Sequence, residues 1–350
     1  MNMAEQQIFK TQEIGSFRKP DYLSGKFHKI EGSREFFELA GKATLETLEV
    51  YKRSGLDNLG VGGEMFRWEM YEHLAEHIEG IKFYGMVRSF DNRYYRKGSV
   101  VSSIGRRDSA HLPELQFLLA NTKGELKIPI TGPYTMMDWS FNDFYRNRHD
   151  LAMAYASVIR DEIRDLQRIF RKSRPGEIMQ VQIDEPAATT HPDEMDIVVD
   201  SVNACLDGIG EIEPTIHVCY SKDYRILYDV VPELRVKGLN LEFANRDTLE
   251  GGQGRERRTG YQDLAYFSQI NDTLQDKRFI GLGVTDVHID LVEPVQLIEN
   301  RIEEAVRILE DPNLIRINPD CGLRTRSREI GEGKLRNMSI AVENMRKKYS

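Results

Sequence analysis

Short runs of apolar and β-branched residues alternate along the chain with longer stretches whose apolar positions recur every three or four residues. This is the pattern of strands followed by amphipathic helices. Eight runs can be counted, each ending in a polar or glycine-containing tip: TQEIGS (11–16), GLDNLGVGGE (55–64), KIPITGP (127–133), IMQVQIDEP (178–186), TIHVCY (215–220), GLNLEFA (238–244), FIGLGVTD (279–286) and LIRINPDC (314–321). Several are apolar on both faces, as strands of a parallel sheet covered by helices must be. Residues 33–54 read as a helix with Ser33 as N-cap, Phe36, Leu39, Ala43, Leu48 and Tyr51 facing inward, and Gly55 as its stop. The same period recurs at Leu151–Lys172 and at Pro294–Leu309, where Pro294 suits a first-turn position.

No internal repeat, low-complexity tract or Pro/Ser linker divides the chain, so the expectation is one domain spanning 1–350. Eight strand and helix units predict an α/β fold of the (β/α)8 TIM barrel type, since the Gly-rich turn of a dinucleotide-binding sheet is missing. The long gap Met65–Leu126 contains KFYGMVRSF and SVVSSI around a charged, Tyr-rich turn, which predicts a β-hairpin inserted between strands 2 and 3. Asp247–Gly260, rich in Gly and Arg, is expected to be a mobile loop.

Composition narrows the function. The 350 residues are 40% hydrophobic and 30% charged, with a net charge of −8, a globular balance whose overall field repels nucleic acid and anionic membrane. No window approaches the ~20 apolar residues that span a bilayer, and residues 1–10 lack a secretory signal, so a cytoplasmic location is expected with no membrane and no nucleic-acid partner. Three widely spaced cysteines, Cys205, Cys219 and Cys321, argue for reduced thiols over a disulfide framework. Cys205, in the helical run Ile197–Leu206, reads as a core thiol.

In a barrel the C-terminal strand ends converge on one spot, so the tips are where chemistry is to be sought. His217 and Cys219 lie two apart on a strand and share a face. With Glu242 and Cys321 at other tips they offer an imidazole, two thiolates and a carboxylate, a donor set that suits tetrahedral Zn²⁺. A His-x-Cys pair alone is more often incidental; the set is stronger than its parts. Asp184, Glu64, Asp286, His288 and Ser16 also occupy tips. Each carboxylate alone reads equally as a helix cap or solvated charge; together they suit binding of a ligand ammonium, and Asp-x-His suits a general acid.

These tips resemble the cobalamin-independent methionine synthase family, specifically its catalytic C-terminal barrel. IGSFRKP, GLDNLGVGGEMFRWEM, TGPYTMMDWS, QIDEPA, IHVCY, LEFANR, GVTDVHI and NPDCGLRTR fall in family order over residues 11–326. The resemblance implies zinc-dependent transfer of a methyl group to the thiol of L-homocysteine, with His217, Cys219, Glu242 and Cys321 as metal ligands. It further implies that Ile14, Gly15 and Ser16 hold the amino-acid carboxylate end and that Glu64 and Asp184 face the ammonium. His288, beside Asp286, would be the proton donor, and Trp139 would stack on a pterin.

The chain also departs from the family pattern. Thr190 stands about where the family usually carries an acid, and at 350 residues the chain is expected to act without the extra N-terminal barrel of the folate-using enzymes. Single-barrel relatives are associated with methylated corrinoids or corrinoid proteins, so the expected donor is methylcobalamin, a corrinoid protein or a methyl-folate or pterin. The basic stretch Arg324, Arg326, Arg328, Lys334 and Arg336 reads as a solvated helix face or a dock for an acidic donor protein. Two rival readings remain: a zinc alkyltransferase acting on another thiol such as coenzyme M, and a catalytically silent zinc-binding barrel.

Overall fold

Six of the eight runs pair into one parallel sheet, in a computed structural model that describes residues 7–88, 94–252 and 257–349. In chain order the strands are β1 (Ile78–Arg88), β2 (Tyr94–Arg106), β3 (Lys127–Thr131), β4 (Phe141–Asn142), β5 (Met179–Asp184), β6 (Ile212–Val218), β7 (Gly238–Leu241), β8 (Phe279–Gly283) and β9 (Ile315–Asn318). The parallel sheet runs β3-β5-β6-β7-β8-β9 in that order, and its register sets Asp184 beside His217, His217 beside Asn240 and Asn240 beside Gly281.

The runs at 11–16 and 55–64 form single parallel bridges instead of full strands. Thr11 bridges Ile317, Gln12 bridges Asn58, and Asn58 bridges Glu125, just before β3. The reason lies in the second run, where Gly60, Gly62, Gly63 and Glu64 all have positive φ and coil the backbone away from a ladder. A side chain at Gly60 would lie 1.4 Å from Glu13 Oε1, so no other residue fits there.

Between residue 64 and β3, β1 and β2 pair antiparallel, with β4 added in parallel along β2. The turn between them, Ser89–Arg93, lies outside the described residues, as do residues 253–256 within the loop expected at Asp247–Gly260. That loop is tied at both ends. Asp247 is fully buried and takes Arg258 at 2.8 Å and Arg301 at 3.0 Å.

The helices follow the apolar period. Arg34–Ser54 is capped by Ser33 Oγ, which accepts from the Phe36 N–H, and ends at Gly55 with φ 84°. Its inward residues Phe36, Ala43, Leu48 and Tyr51 are buried, with Leu39 only partly so. The second long helix is Arg148–Ser173; the third is Val295–Leu309, where Pro294 stands at the N-cap with ψ 144°, one position before the first turn. Cys205 ends the helix Met195–Cys205, buried, its thiol donating to the Val202 carbonyl.

Inside the sheet lies a layer of amides. Gln12 Nε2 donates to Asn240 Oδ1 (2.8 Å) and Asn318 Oδ1 (3.1 Å), Asn240 Nδ2 donates to Gln182 Oε1 (2.8 Å), and Asn58 Nδ2 donates to Gln180 Oε1 (2.9 Å). Each buried polar group thereby finds a partner, and the layer forms a rigid floor beneath the strand ends. No helix among the described residues is long and apolar enough to cross a membrane.

Candidate active site

β6 carries His217 on its inner face and releases Cys219 one residue beyond its end; Cys321 stands three residues beyond β9. The ligand atoms of His217, Cys219 and Cys321 all lie within 4.8 Å of one another, the one such His/Cys/Asp/Glu group found among the described residues. His217 Nδ1 donates to the Asn240 carbonyl at 2.9 Å, which turns Nε2 toward Cys321 Sγ at 3.5 Å. A ring fixed through one nitrogen so that the other faces sulfur is the usual posture of a metal-binding histidine.

The charges in this pocket are coupled. Burial works against a charge on His217, but the hydrogen bond and charge of Cys321, with Asp184, hold the ring up at about 9. The Cys321 thiol is brought down to about 5, first by Cys219 and then, against burial, by His217. Cys219 is pushed up, first by its hydrogen bond with Cys321 and then by burial. The two sulfurs titrate as a pair, with the thiolate favoured on Cys321 and the thiol on Cys219.

Glu242 follows β7 and is fully buried, but its carboxylate is outside that three-residue group. It accepts from the Tyr220 N–H (2.7 Å) and Asn245 Nδ2 (2.9 Å), with His288 Nε2 3.4 Å away. The contact with Glu242 raises His288 above its ordinary value. Asp286 Oδ1 accepts from the His288 backbone N–H at 2.8 Å, and its charge adds to the rise at His288.

A cleft of about 940 Å³ opens over the sulfurs, and Ile14, Gly15, Ser16, Glu64, Trp139 and Asp184 line it with His217, Cys219 and Cys321. Gln182 Nε2 links the Ile14 carbonyl and Asp184 Oδ1, both at 2.8 Å, so the first and fourth tips are set against each other. Glu64 holds the left-handed conformation at φ 58°, and a methyl group on Gly15 would sit 2.7 Å from its Oε1. Burial raises Asp184 to about 7. Asp286 and His288 are not among the lining residues; His288 approaches the centre through Glu242.

Sequence reasoning passed over several residues. Glu69 and Tyr95 line the cleft, as does Arg324, which the sequence offered only as part of a basic stretch, and burial lifts Glu69 to about 7. Asp320 pins the loop after β7 by accepting from the N–H groups of Phe243, Ala244 and Asn245. Glu69, Asp320 and Arg324 stand inside GGEMFRWEM and NPDCGLRTR, next to residues that were singled out; their types alone gave no further signal. Thr190 donates its N–H to Ala187 in the turn after β5. The basic stretch is partly spent on the fold: Arg326 pairs with Asp290, and buried Lys334 with Glu293 at 2.8 Å.

Comparison with known proteins shows which family the chain resembles along its length. Residues 9–344 match the family model described as the cobalamin-independent synthase catalytic domain. A methionine synthase of Thermoplasma acidophilum is 64% identical, covering 96% of this chain and 98% of that protein, and one of Pyrococcus horikoshii is 35% identical, covering 98% and 94%. Among solved structures, a B12-independent methionine synthase of Shewanella sp. W3-18-1 in complex with selenomethionine superposes with a TM-score of 0.79 at 21% identity, covering 98% of this chain and 99% of that one. A match over nearly the whole length, at identities up to 64%, means that the chain belongs to the cobalamin-independent methionine synthase catalytic-domain family.

Proposed function

We propose that the protein transfers a methyl group to the thiol of L-homocysteine to give L-methionine, on a zinc centre held by His217, Cys219 and Cys321 with Glu242 as fourth ligand. The observation that carries this reading is the convergence of three soft donors within 4.8 Å beside Glu64 and Asp184 in one cleft. Two sulfurs and an imidazole fit zinc and disfavour a hydrolytic metal site, whose ligands keep a bound water acidic. Bound there, zinc supplies a thiolate from a substrate thiol at neutral pH.

The chain's own residues do the rest. Glu64 and Asp184 face the substrate ammonium and fix the amino acid against Ile14, Gly15 and Ser16, so that its sulfur points at the centre. Once the thiol proton has left, a sulfur lone pair forms the new S–C bond while the bond from methyl to donor breaks and its electrons stay on the donor. The donor enters over Trp139, as a methylcorrinoid, free or carried on a protein, or as a methyl-folate or pterin. With a pterin, the leaving nitrogen needs a proton, and His288, whose protonated form Glu242 favours, is the group that gives it.

In this reading the bridges at Thr11, Gln12 and Asn58 close the parallel sheet into an eight-stave (β/α)8 barrel. The chain 1–350 is one domain acting in the cytoplasm, and β1 and β2 form the hairpin inserted between staves 2 and 3. The test is to incubate zinc-loaded protein with homocysteine and, separately, methylcobalamin and methyltetrahydrofolate mono- and triglutamate, and to measure methionine. Methionine from at least one donor, dependent on zinc, is expected; zinc bound with no thiol-dependent change at the metal and no product would refute the proposal.

A further inference from the structure

Beside the main cleft lies a second cavity of about 620 Å³, lined by Phe17, Arg18, Lys19, Ser24, Trp68 and Arg324. Three of its six lining residues are cations and none is a carboxylate. Arg324 lines both spaces, so the second cavity adjoins the first. We propose that this cavity is an oxyanion subsite that takes a phosphate or carboxylate group.

The case rests on unspent charge. Elsewhere in the fold, buried guanidinium groups hold carboxylates: Arg67 binds Glu114, and Arg258 and Arg301 share Asp247. Arg18 and Arg324 have no ion-pair or side-chain hydrogen-bond partner among the described residues. The Lys19 ammonium donates only to a neutral acceptor, the Glu64 carbonyl at 2.9 Å, and stands 5.8 Å from the Phe27 ring centre.

The carboxylates whose charge reaches Lys19 and Arg324 have ion-pair or hydrogen-bond partners of their own. Glu64 Oε1 leans toward Arg67, at 3.8 Å, and Glu69 accepts from the Glu72 N–H at 2.9 Å. Burial, followed by the charge of Arg324, lowers Lys19 to about 7 and outweighs the opposing pull of Glu64 and Glu114. An anion seated among the three would relieve that repulsion and receive charge-assisted hydrogen bonds, with the Trp68 ring as a wall. Two arginines and a lysine around a concave, half-enclosed space are the donors such a ligand requires.

The subsite needs no methyl transfer to be tested. The chain has two tryptophans, Trp68 and Trp139, so Trp139→Phe leaves Trp68 as the sole indole reporter. Titration of that variant with inorganic phosphate at constant ionic strength should change Trp68 emission saturably. Arg18→Gln, at an exposed position, and Arg324→Met should each weaken phosphate binding at least about tenfold, a loss of one charge-assisted contact. The remote surface change Lys172→Gln should not alter it.

Phosphorus NMR of phosphate-loaded protein then separates the two sources of the anion. Release of phosphate by methylcobalamin, which carries a phosphodiester, or by methyltetrahydrofolate, which carries carboxylates, assigns the subsite to an arm of the methyl donor. Retention of phosphate in the presence of both assigns it to a free anion. A response that does not saturate, that chloride reproduces, or that survives unchanged in both arginine variants overturns the proposal.

Discussion

His217 Nε2 and Cys321 Sγ stand 3.5 Å apart although 104 residues separate them in the chain. The parallel register delivers one to the end of β6 and the other to the loop after β9, and the Asn240 carbonyl holds the imidazole so that its free nitrogen faces the sulfur. A ligand set already in place should bind metal without reordering the fold. Purified protein is expected to hold about one zinc per chain, and Cys219→Ser or Cys321→Ser to lose most of it on dialysis. Metal analysis of the dialysed variants, with circular dichroism to establish that they fold, checks this. Full retention of zinc by both serine variants would place the metal elsewhere.

Gly281 leaves room for the amide floor under the site. A methyl group there would lie 2.0 Å from Asn240 Oδ1 and 2.6 Å from Asn318 Oδ1, the two acceptors of Gln12. Gly281→Ala should therefore destabilise the protein by about 1–3 kcal/mol through overpacking, and through Asn240 it should also disturb His217. Gly105→Ala, where nothing stands within 4 Å, should change stability by no more than about 0.5 kcal/mol. Denaturant unfolding of the two variants gives the comparison.

Much of this could be read from the chain because two kinds of signal are local. Apolar runs such as IMQVQID and helix punctuation such as Ser33 and Gly55 are written in consecutive residues, and the structure follows them closely. The clustering of His217, Cys219 and Cys321 was accessible because a parallel sheet brings its strand ends together whatever their separation. Orientation was not accessible. Glu242 and His288 were placed at the site by position, and only the structure shows Glu242 Oε1 facing His288 Nε2; Asp286, read as the partner of that ring, also receives the His288 backbone N–H. The first two runs also differ, since ladder formation at 55–64 is prevented by consecutive left-handed residues, a property of φ that an apolar pattern does not record.

Glu162, fully buried on the helix Arg148–Ser173, ties that helix to the end of β2. It accepts from Ser109 Oγ, the His111 N–H and His111 Nδ1, each at 2.9 Å, and pairs with Arg106 at 2.9 Å. Burial opposes its ionisation, but the contacts with His111 and Ser109 outweigh it and bring the carboxyl down to about 2. A folded-state value below the unfolded one stabilises the protein above pH ~4.5, and that contribution is lost as pH falls from there toward 2. Its size is on the order of 3 kcal/mol. Glu162→Gln should lower stability at pH 7 and flatten the stability profile between pH 5 and 2, measured by denaturant unfolding across that range.

Glu64 and Asp184 line the cleft with Gly15 and are proposed to face the substrate ammonium. Glu64→Gln and Asp184→Asn should each raise the Kd for homocysteine about 10- to 100-fold, the loss of one charged hydrogen bond. Both should leave binding of 3-mercaptopropionate, a thiol lacking the α-ammonium, within about threefold of wild type. Calorimetric titration of each thiol into the zinc-loaded variants makes the comparison. Equal losses for both thiols would assign the two carboxylates to the metal centre instead.

His288 separates the two classes of donor. Its Nε2 faces the buried Glu242 carboxylate at 3.4 Å and its ring meets Tyr220 edge-on at 5.0 Å, so the ring is held beside Glu242, whose contact favours its protonated form. A methyl pterin leaves as an amine anion unless a proton reaches its nitrogen, whereas a corrinoid leaves as Co(I) and needs none. Loss of a positioned acid costs typically about 10²- to 10⁴-fold in rate. His288→Gln should therefore reduce kcat by that factor with a methyl-folate donor and by less than about threefold with methylcobalamin, with zinc content unchanged in both assays. A large loss with methylcobalamin as well would mean that His288 acts on the metal centre through Glu242, and the proton-donor assignment would fall.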